Sequence, residues 1–133
     1  MKFTEEKVKQ IVRECREAGR IASIQKLNEL QGKGIQWVVK DGNRTVGGML
    51  DLCGFASIHI DAKQGFYRVA KKVAEDNSLR FMCGKGYPSG GRFNVFDTNN
   101  RQEISVNEAS AKAVASVLES YGVTGVYVSS RLD

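Results

Sequence analysis

Residues 50–61 read LDLCGFASIHID, and the reading of this stretch decides the fold. Strand side chains alternate between two faces with period two. As a strand, one face collects Leu50, Leu52, Gly54, Ala56, Ile58 and Ile60. The other collects Asp51, Cys53, Phe55, Ser57, His59 and Asp61. The first face is wholly apolar and asks for helices. The second holds the chain's one histidine, two carboxylates, a thiol and a hydroxyl.

Working outward, Asp61 with Gln64 can cap a helix, and Phe66, Val69, Ala70 and Val73 form its apolar stripe. Asn77-Ser78 ends it. Residues 79–83 (LRFMC) read as a strand, 84–91 (GKGYPSGG) as a loop and 92–96 (RFNVF) as the returning strand. Residues 97–100 make another turn. A last helix buries Ala113, Val114, Val117, Leu118 and Tyr121, and Gly122 stops it. Its start has two alternatives. Ser105 and Glu108 form a capping box, or residues 102–106 are a short strand and Asn107 caps. Residues 123–129 (VTGVYVS) read as the closing strand.

Upstream, Thr4 caps a helix whose stripe is Val8, Ile11, Val12, Cys15 and Ala18. Gly19 either bends this helix or ends it ahead of a second one carrying Ile21, Ile24, Leu27 and Leu30; Gly32 and Gly34 stop the run. Lys9, Arg13, Arg16 and Arg20 lie on another face, read as a solvated stripe partly neutralised by Glu5 and Glu17. Residues 35–40 form a strand with Trp37 as a packing residue. Asp41-Gly42-Asn43 turns, Arg44 begins the return, and Gly47 and Gly48 allow a bulge.

From residue 50 onward the order is strand, helix, strand, strand, helix, strand. The expected class is therefore α+β, with a ferredoxin-like (βαββαβ) antiparallel sheet core. An N-terminal helical extension (1–32) and an added β-hairpin strand complete a single domain of 133 residues. Two helices would cover one sheet face and leave the other open.

On that open face the alternation gathers Phe55, His59, Arg80, Arg92, Asn94, Phe96 and Tyr127. Lys85, in the glycine-rich loop, adds a cation at the rim. Aromatics flanked by arginines suit a single-stranded nucleic acid, whose bases stack on rings while cations meet phosphates. Here Arg80, Lys85 and Arg92 would contact phosphates, and Phe55, Phe96 and Tyr127 would stack. The formal charge of +5 fits, since residues 62–96 alone carry seven basic against two acidic side chains. Two counter-readings are equally physical: the N-terminal helices cover this face, or a homodimer buries it. A nucleotide-sized ligand near Cys53, His59 and Lys85 is a further alternative.

Enzyme classes fare worse. Ser57, His59 and Asp61 have the composition of a triad, but neighbours two apart on a strand are separated by ~6.6 Å, too far for the contacts catalysis needs. Asp61 has the simpler task of capping. One histidine and three scattered cysteines make no metal site. The loop at 84–91 lacks the order of a phosphate-binding P-loop, and a flexible hairpin loop explains it. We expect no catalytic residues, metal or cofactor. The cysteine pattern and the lack of an apolar leader or a long apolar run point to a cytoplasmic, non-membrane protein.

Residues 50–60 (LDLCGFASIHI) and the terminal SSRLD at 129–133, with a helix before it, resemble small uncharacterised proteins encoded by bacteriophages and prophages. The resemblance implies no particular activity. It does imply a mobile-element setting, where small proteins bind nucleic acid or disable host factors. The expected function is thus a non-enzymatic nucleic-acid-binding accessory protein; the alternative is a protein-binding inhibitor acting through the N-terminal helices. The resemblance also draws notice to Arg131 and Asp133, otherwise a solvated tail.

Overall fold

The structure, a computed structural model, describes residues 2–34, 37–49, 51–76, 78–87, 89–95 and 103–132; of 37, 39–41 and 44–49 it describes the backbone alone. Along the chain run α1 (Glu5–Lys33), β1 (Trp37–Asp41), β2 (Arg44–Met49), β3 (Gly54–Ile60), α2 (Gly65–Ala74), β4 (Phe81–Lys85), β5 (Gly91–Val95), α3 (Ile104–Ser120) and β6 (Tyr127–Leu132). The molecule is α+β, with a four-stranded sheet in the order β4-β5-β3-β6. Every neighbouring pair in it is antiparallel. Helix α2 leads from β3 past β5 to β4, and α3 leads from β5 past β3 to β6.

Helix α1 is continuous through Gly19. Thr4 caps it by accepting from the Lys7 backbone N–H at 3.1 Å, with Glu5 and Glu6 in the first turn. Its first half faces the common core: Val8, Ile11, Val12 and Cys15 are fully buried with Ile58, Phe66, Phe93, Val114 and Leu118. It runs antiparallel to α3, Cys15 lying by the Val114 carbonyl and Gly19 by Ser110. Gly19 does not break the helix because its missing side chain is what the packing needs. A Cβ there would stand 2.8 Å from Ser110 Oγ and 3.1 Å from Val114 Cγ2. So α1 joins α2 and α3 on the helix side of the sheet. Among the described residues, nothing of α1 covers the other face.

Three residues of the basic stripe of α1, Lys9, Arg16 and Arg20, have partners. Arg20 bonds Glu17, Lys9 pairs with Glu6, and Arg16 donates to the Arg80 carbonyl at 3.1 Å. Glu5 reaches across to Lys72 of α2 at 3.3 Å. Strands β1 and β2 form a two-stranded sheet of their own, turning at Gly42-Asn43 with Gly42 at φ +63°. Val39 pairs with Gly47 and Lys40 with Thr45, so Val46 is the extra residue of a bulge.

Several boundaries differ from the sequence reading. The central strand is shorter, since residues 51–53 leave it to meet the start of α3. Cys53 bridges to Glu103, and the Leu52 carbonyl accepts from Ile104 N–H. Helix α3 starts at Ile104, one residue before Ser105 and three before Asn107, the two caps considered above. Its cap comes from afar, because the Asp51 carboxylate accepts from the Ser105 backbone at 2.9 Å and from the Ser105 hydroxyl. Asp61 caps nothing. Gln64 precedes α2 and instead ties its entry to residue 124, with Nε2 donating to the Asp61 and Thr124 carbonyls and Oε1 accepting from Thr124 N–H.

Residues 123–126, read as strand, instead continue the turn that follows α3, with Gly122 and Gly125 at φ +84° and +70°. At Gly125 a side chain would collide with the Asp61 carboxylate. The closing strand therefore begins at Tyr127 and carries through Leu132. The expectations for Phe96, the Trp37 side chain, the turn at 97–100, Asn77 and Asp133 fall outside the described residues.

Candidate nucleic-acid interface

The register of the sheet places the outward side chains in rows. His59 stands between Arg92 on β5 and Tyr127 on β6. Next to it, Ser57 pairs with Ser129, and beyond that Phe55 pairs with Arg131. On β4, Met82 lies beside Asn94. Strand alternation turns all of these away from the helices, since their neighbours Ile58, Ile60 and Phe93 are core.

Contacts within the rows hold the side chains in place. The His59 and Tyr127 rings are stacked, 4.5 Å between centroids and 8° from parallel. His59 Nε2 hydrogen-bonds Ser129 Oγ at 2.7 Å. Arg92 Nη2 donates to Ser57 Oγ at 2.8 Å, while Arg92 Nε is buried and has no hydrogen-bond partner among the described residues. The Arg131 guanidinium lies over the Phe55 ring, 5.2 Å from its centroid. Burial, and then the Arg92 charge, hold His59 below the usual imidazole range, so the ring is neutral at pH 7. Phe55 and Tyr127 stay 46% and 60% exposed, far more than core aromatics.

Between β3 and β5 the sheet opens. Pairing runs only from Ile60–Gly91 to Ile58–Phe93, after which the strands part. Asn94 bridges the parting by accepting from Ile58 N–H through Oδ1 at 3.2 Å. A cleft of about 690 Å3 enters there. Its mouth has Phe55, His59, Tyr87, Arg92 and Arg131, and its floor is Asn107, Ser110, Ala111 and Val114 of α3.

Of the expected site residues, the structure brings together Phe55, His59, Arg92, Asn94 and Tyr127. Two expectations need correction. Arg80 is in the turn before β4, not on the strand, at φ +52° with its carbonyl taken by Arg16. Lys85 follows Phe81 and Cys83 in the alternation of β4, which puts it on the helix side. Phe96 is outside the described residues. The site gains Ser57, Ser129, Arg131 and Tyr87. Arg131 was legible only as tail, because the closing strand was read as ending at 129, whereas β6 runs to Leu132.

A catalytic arrangement is not assembled from these groups. Ser57 serves Arg92, His59 serves Ser129, and Asp61 lies against Gly125. Among the described residues, no carboxylate is bonded to the other ring nitrogen of His59 in the His59–Ser129 pair. Nor, among the described residues, do three His, Cys, Asp or Glu side chains gather to hold a metal ion. No helix among the described residues is long and apolar enough to cross a membrane. Searches against protein-family models, curated proteins and solved structures found no match.

Proposed function

We propose that the chain is a non-enzymatic, single-stranded nucleic-acid-binding accessory protein whose outer sheet face is the binding surface. One observation carries the reading: two exposed aromatic rings, Phe55 and Tyr127, share that face with Arg92 and Arg131. Bases stack on rings whatever their identity, and guanidinium groups meet the phosphates between them. Arg92 and Arg131 take the phosphate role, in place of Arg80 and Lys85. His59, neutral and stacked on Tyr127, extends the apolar platform.

The core itself we read as ferredoxin-like. Support comes from the βαββαβ order and from a sheet in which each crossover helix skips one strand. A mobile-element origin and a bacterial cytoplasmic setting belong to the same proposal, and rest on the resemblance of residues 50–60 and 129–133.

The test is fluorescence anisotropy with labelled single-stranded oligonucleotides over a salt series. Binding should weaken steeply with salt, and Phe55→Ala or Tyr127→Ala should each cost about 1–3 kcal/mol. Arg131→Gln should lower the salt slope by about one. No binding at about 50 mM salt overturns the reading.

A second reading has its own observation. Ile21 and Ile24 on the far half of α1 are 44% and 36% exposed, an apolar patch suited to a protein partner. Ile21→Glu with Ile24→Glu should then abolish partner capture while leaving oligonucleotide binding intact.

A further inference from the structure

The cleft between β3 and β5 shares Phe55, His59, Arg92 and Arg131 with the platform and adds polar groups below them. Its described lining includes two arginines, one histidine, serines and asparagines, and no aspartate or glutamate. In a chain with 15 acidic residues, a lining without carboxylates among the described residues favours an anion.

Three donors remain to be used at its edge. Arg92 Nε–H is buried without a partner among the described residues. Ser57 Oγ accepts from Arg92, which leaves its own O–H to donate. Asn94 accepts through Oδ1, which leaves its NH2. These three residues are neighbours in the sheet: His59 pairs with Arg92, so the positions that follow on the two parting strands are Ser57 and Asn94. An unmet buried N–H costs free energy that an incoming acceptor recovers. Arg131 stands at the same mouth, and Tyr87, 89% exposed, offers a ring above it.

We propose that this cleft receives a phosphate monoester carried on a nucleotide, with Arg92, Ser57 and Asn94 donating to the phosphate and the Tyr87 ring stacking on the base. Asn107, Ser110, Ala111 and Val114 of α3 line the cleft on its helix side. An internal phosphodiester continues on both sides, whereas a monoester continues on one. A monoester also carries more charge, about −1.5 to −2 near neutral pH, and three terminal oxygens for the three donors. Such a group is found at a phosphorylated chain end or on a free nucleotide. The chain-end form rests on the surface reading above; the free-nucleotide form does not.

The experiment uses the full chain and one oligonucleotide sequence in three forms: 5′-phosphorylated, 3′-phosphorylated and hydroxyl at both ends. A nucleoside 5′-monophosphate and the matching nucleoside are titrated alongside by calorimetry. We expect at least one phosphorylated end, or the monophosphate over its nucleoside, to bind tenfold tighter or more. Arg92→Gln should reduce that preference below twofold. Ser57→Ala should weaken it several-fold and provides the test if Arg92→Gln does not fold by circular dichroism. A preference only among oligonucleotides assigns a chain end; a preference in the monophosphate arm assigns a free nucleotide. Equal binding of phosphorylated and hydroxyl forms in both arms overturns the inference while leaving the surface reading in place. If no oligonucleotide binds but the monophosphate does, the surface reading falls and the cleft stands as a nucleotide site. If nothing binds, both fall.

Discussion

His59 shows how neighbours set the state of one side chain. It is the only histidine in the chain, so its ring signals titrate alone in an NMR spectrum. Burial and the Arg92 guanidinium both disfavour the imidazolium. The titration midpoint should therefore lie below the usual histidine value. Arg92→Gln should raise it without restoring it fully, because the burial stays; a midpoint at or above the ordinary value in the parent protein would contradict the described surroundings. The cysteines show the same logic with the opposite charge. Burial pushes the Cys15 and Cys83 thiols up to about 12, so both stay protonated and hidden. Cys53 is less buried, and iodoacetamide at pH 8 should label it well before the other two.

At the scale of elements, the contact between α1 and α3 turns on small residues. Gly19 against Ser110 and Val114 lets the two helix backbones come close. Gly19→Val should destabilise the protein by about 1–3 kcal/mol through overpacking. Chemical denaturation measures this, and an unchanged midpoint would deny the close approach. The start of α3 depends on a residue far away in sequence. Asp51→Ala should cost about 0.5–2 kcal/mol, as loss of a helix cap does, and speed hydrogen exchange in the first turn of α3. Burial works against the Asp51 charge, but hydrogen bonds from the Ser105 side chain and from the Leu52 and Ser105 backbone, with the nearby Lys26 charge, outweigh it and hold its carboxyl below the usual range. The folded state thus binds this proton more weakly than the unfolded chain. The stabilisation from Asp51 is complete above the ordinary value of 3.8 and is lost as pH falls through the lowered one.

For the whole molecule, α1 is 29 residues and α3 is 17, about 43 and 25 Å long at 1.5 Å per residue. The near half of α1 fills the core, and in the far half Gly19, Ser23 and Leu30 are the buried positions, so Ile21 and Ile24 lie off that stripe and are exposed. Removing residues 1–20 should unfold the chain, since it takes Val8, Ile11, Val12 and Cys15 from the common core; circular dichroism of that truncation checks it. Alkaline pH should weaken the fold as a unit. The raised thiols of Cys15 and Cys83 keep their protons when folded, whereas the unfolded chain loses them near 9.0. Stability from these two sites is full below that value and declines as pH rises toward 12. Cys15→Ala with Cys83→Ala should flatten this decline, read as the urea midpoint between pH 8 and 11.

Much of this architecture was legible in local pattern. The alternation of Ile58 and Ile60 with Ser57 and His59, the helical spacing of Val8, Ile11, Val12 and Cys15, and the Gly42-Asn43 turn each report a periodicity or a backbone requirement carried by adjacent residues. So the sequence by itself determined the order of elements and which face of the central strand is buried. It also placed Phe55, His59, Arg92, Asn94 and Tyr127 on the other face. What it misplaced depends on partners distant along the chain. The segment 123–126 has strand composition, yet Gln64 and the Asp61 backbone hold it as a turn through Thr124, which moves the closing strand along and brings Arg131 over Phe55. Asp51 left the central strand to cap α3, and Gly19 was a helix breaker by propensity and a packing contact in fact. The cleft belongs wholly to the tertiary structure, because it exists only where β3 and β5 part, and a parting is a property of two strands together.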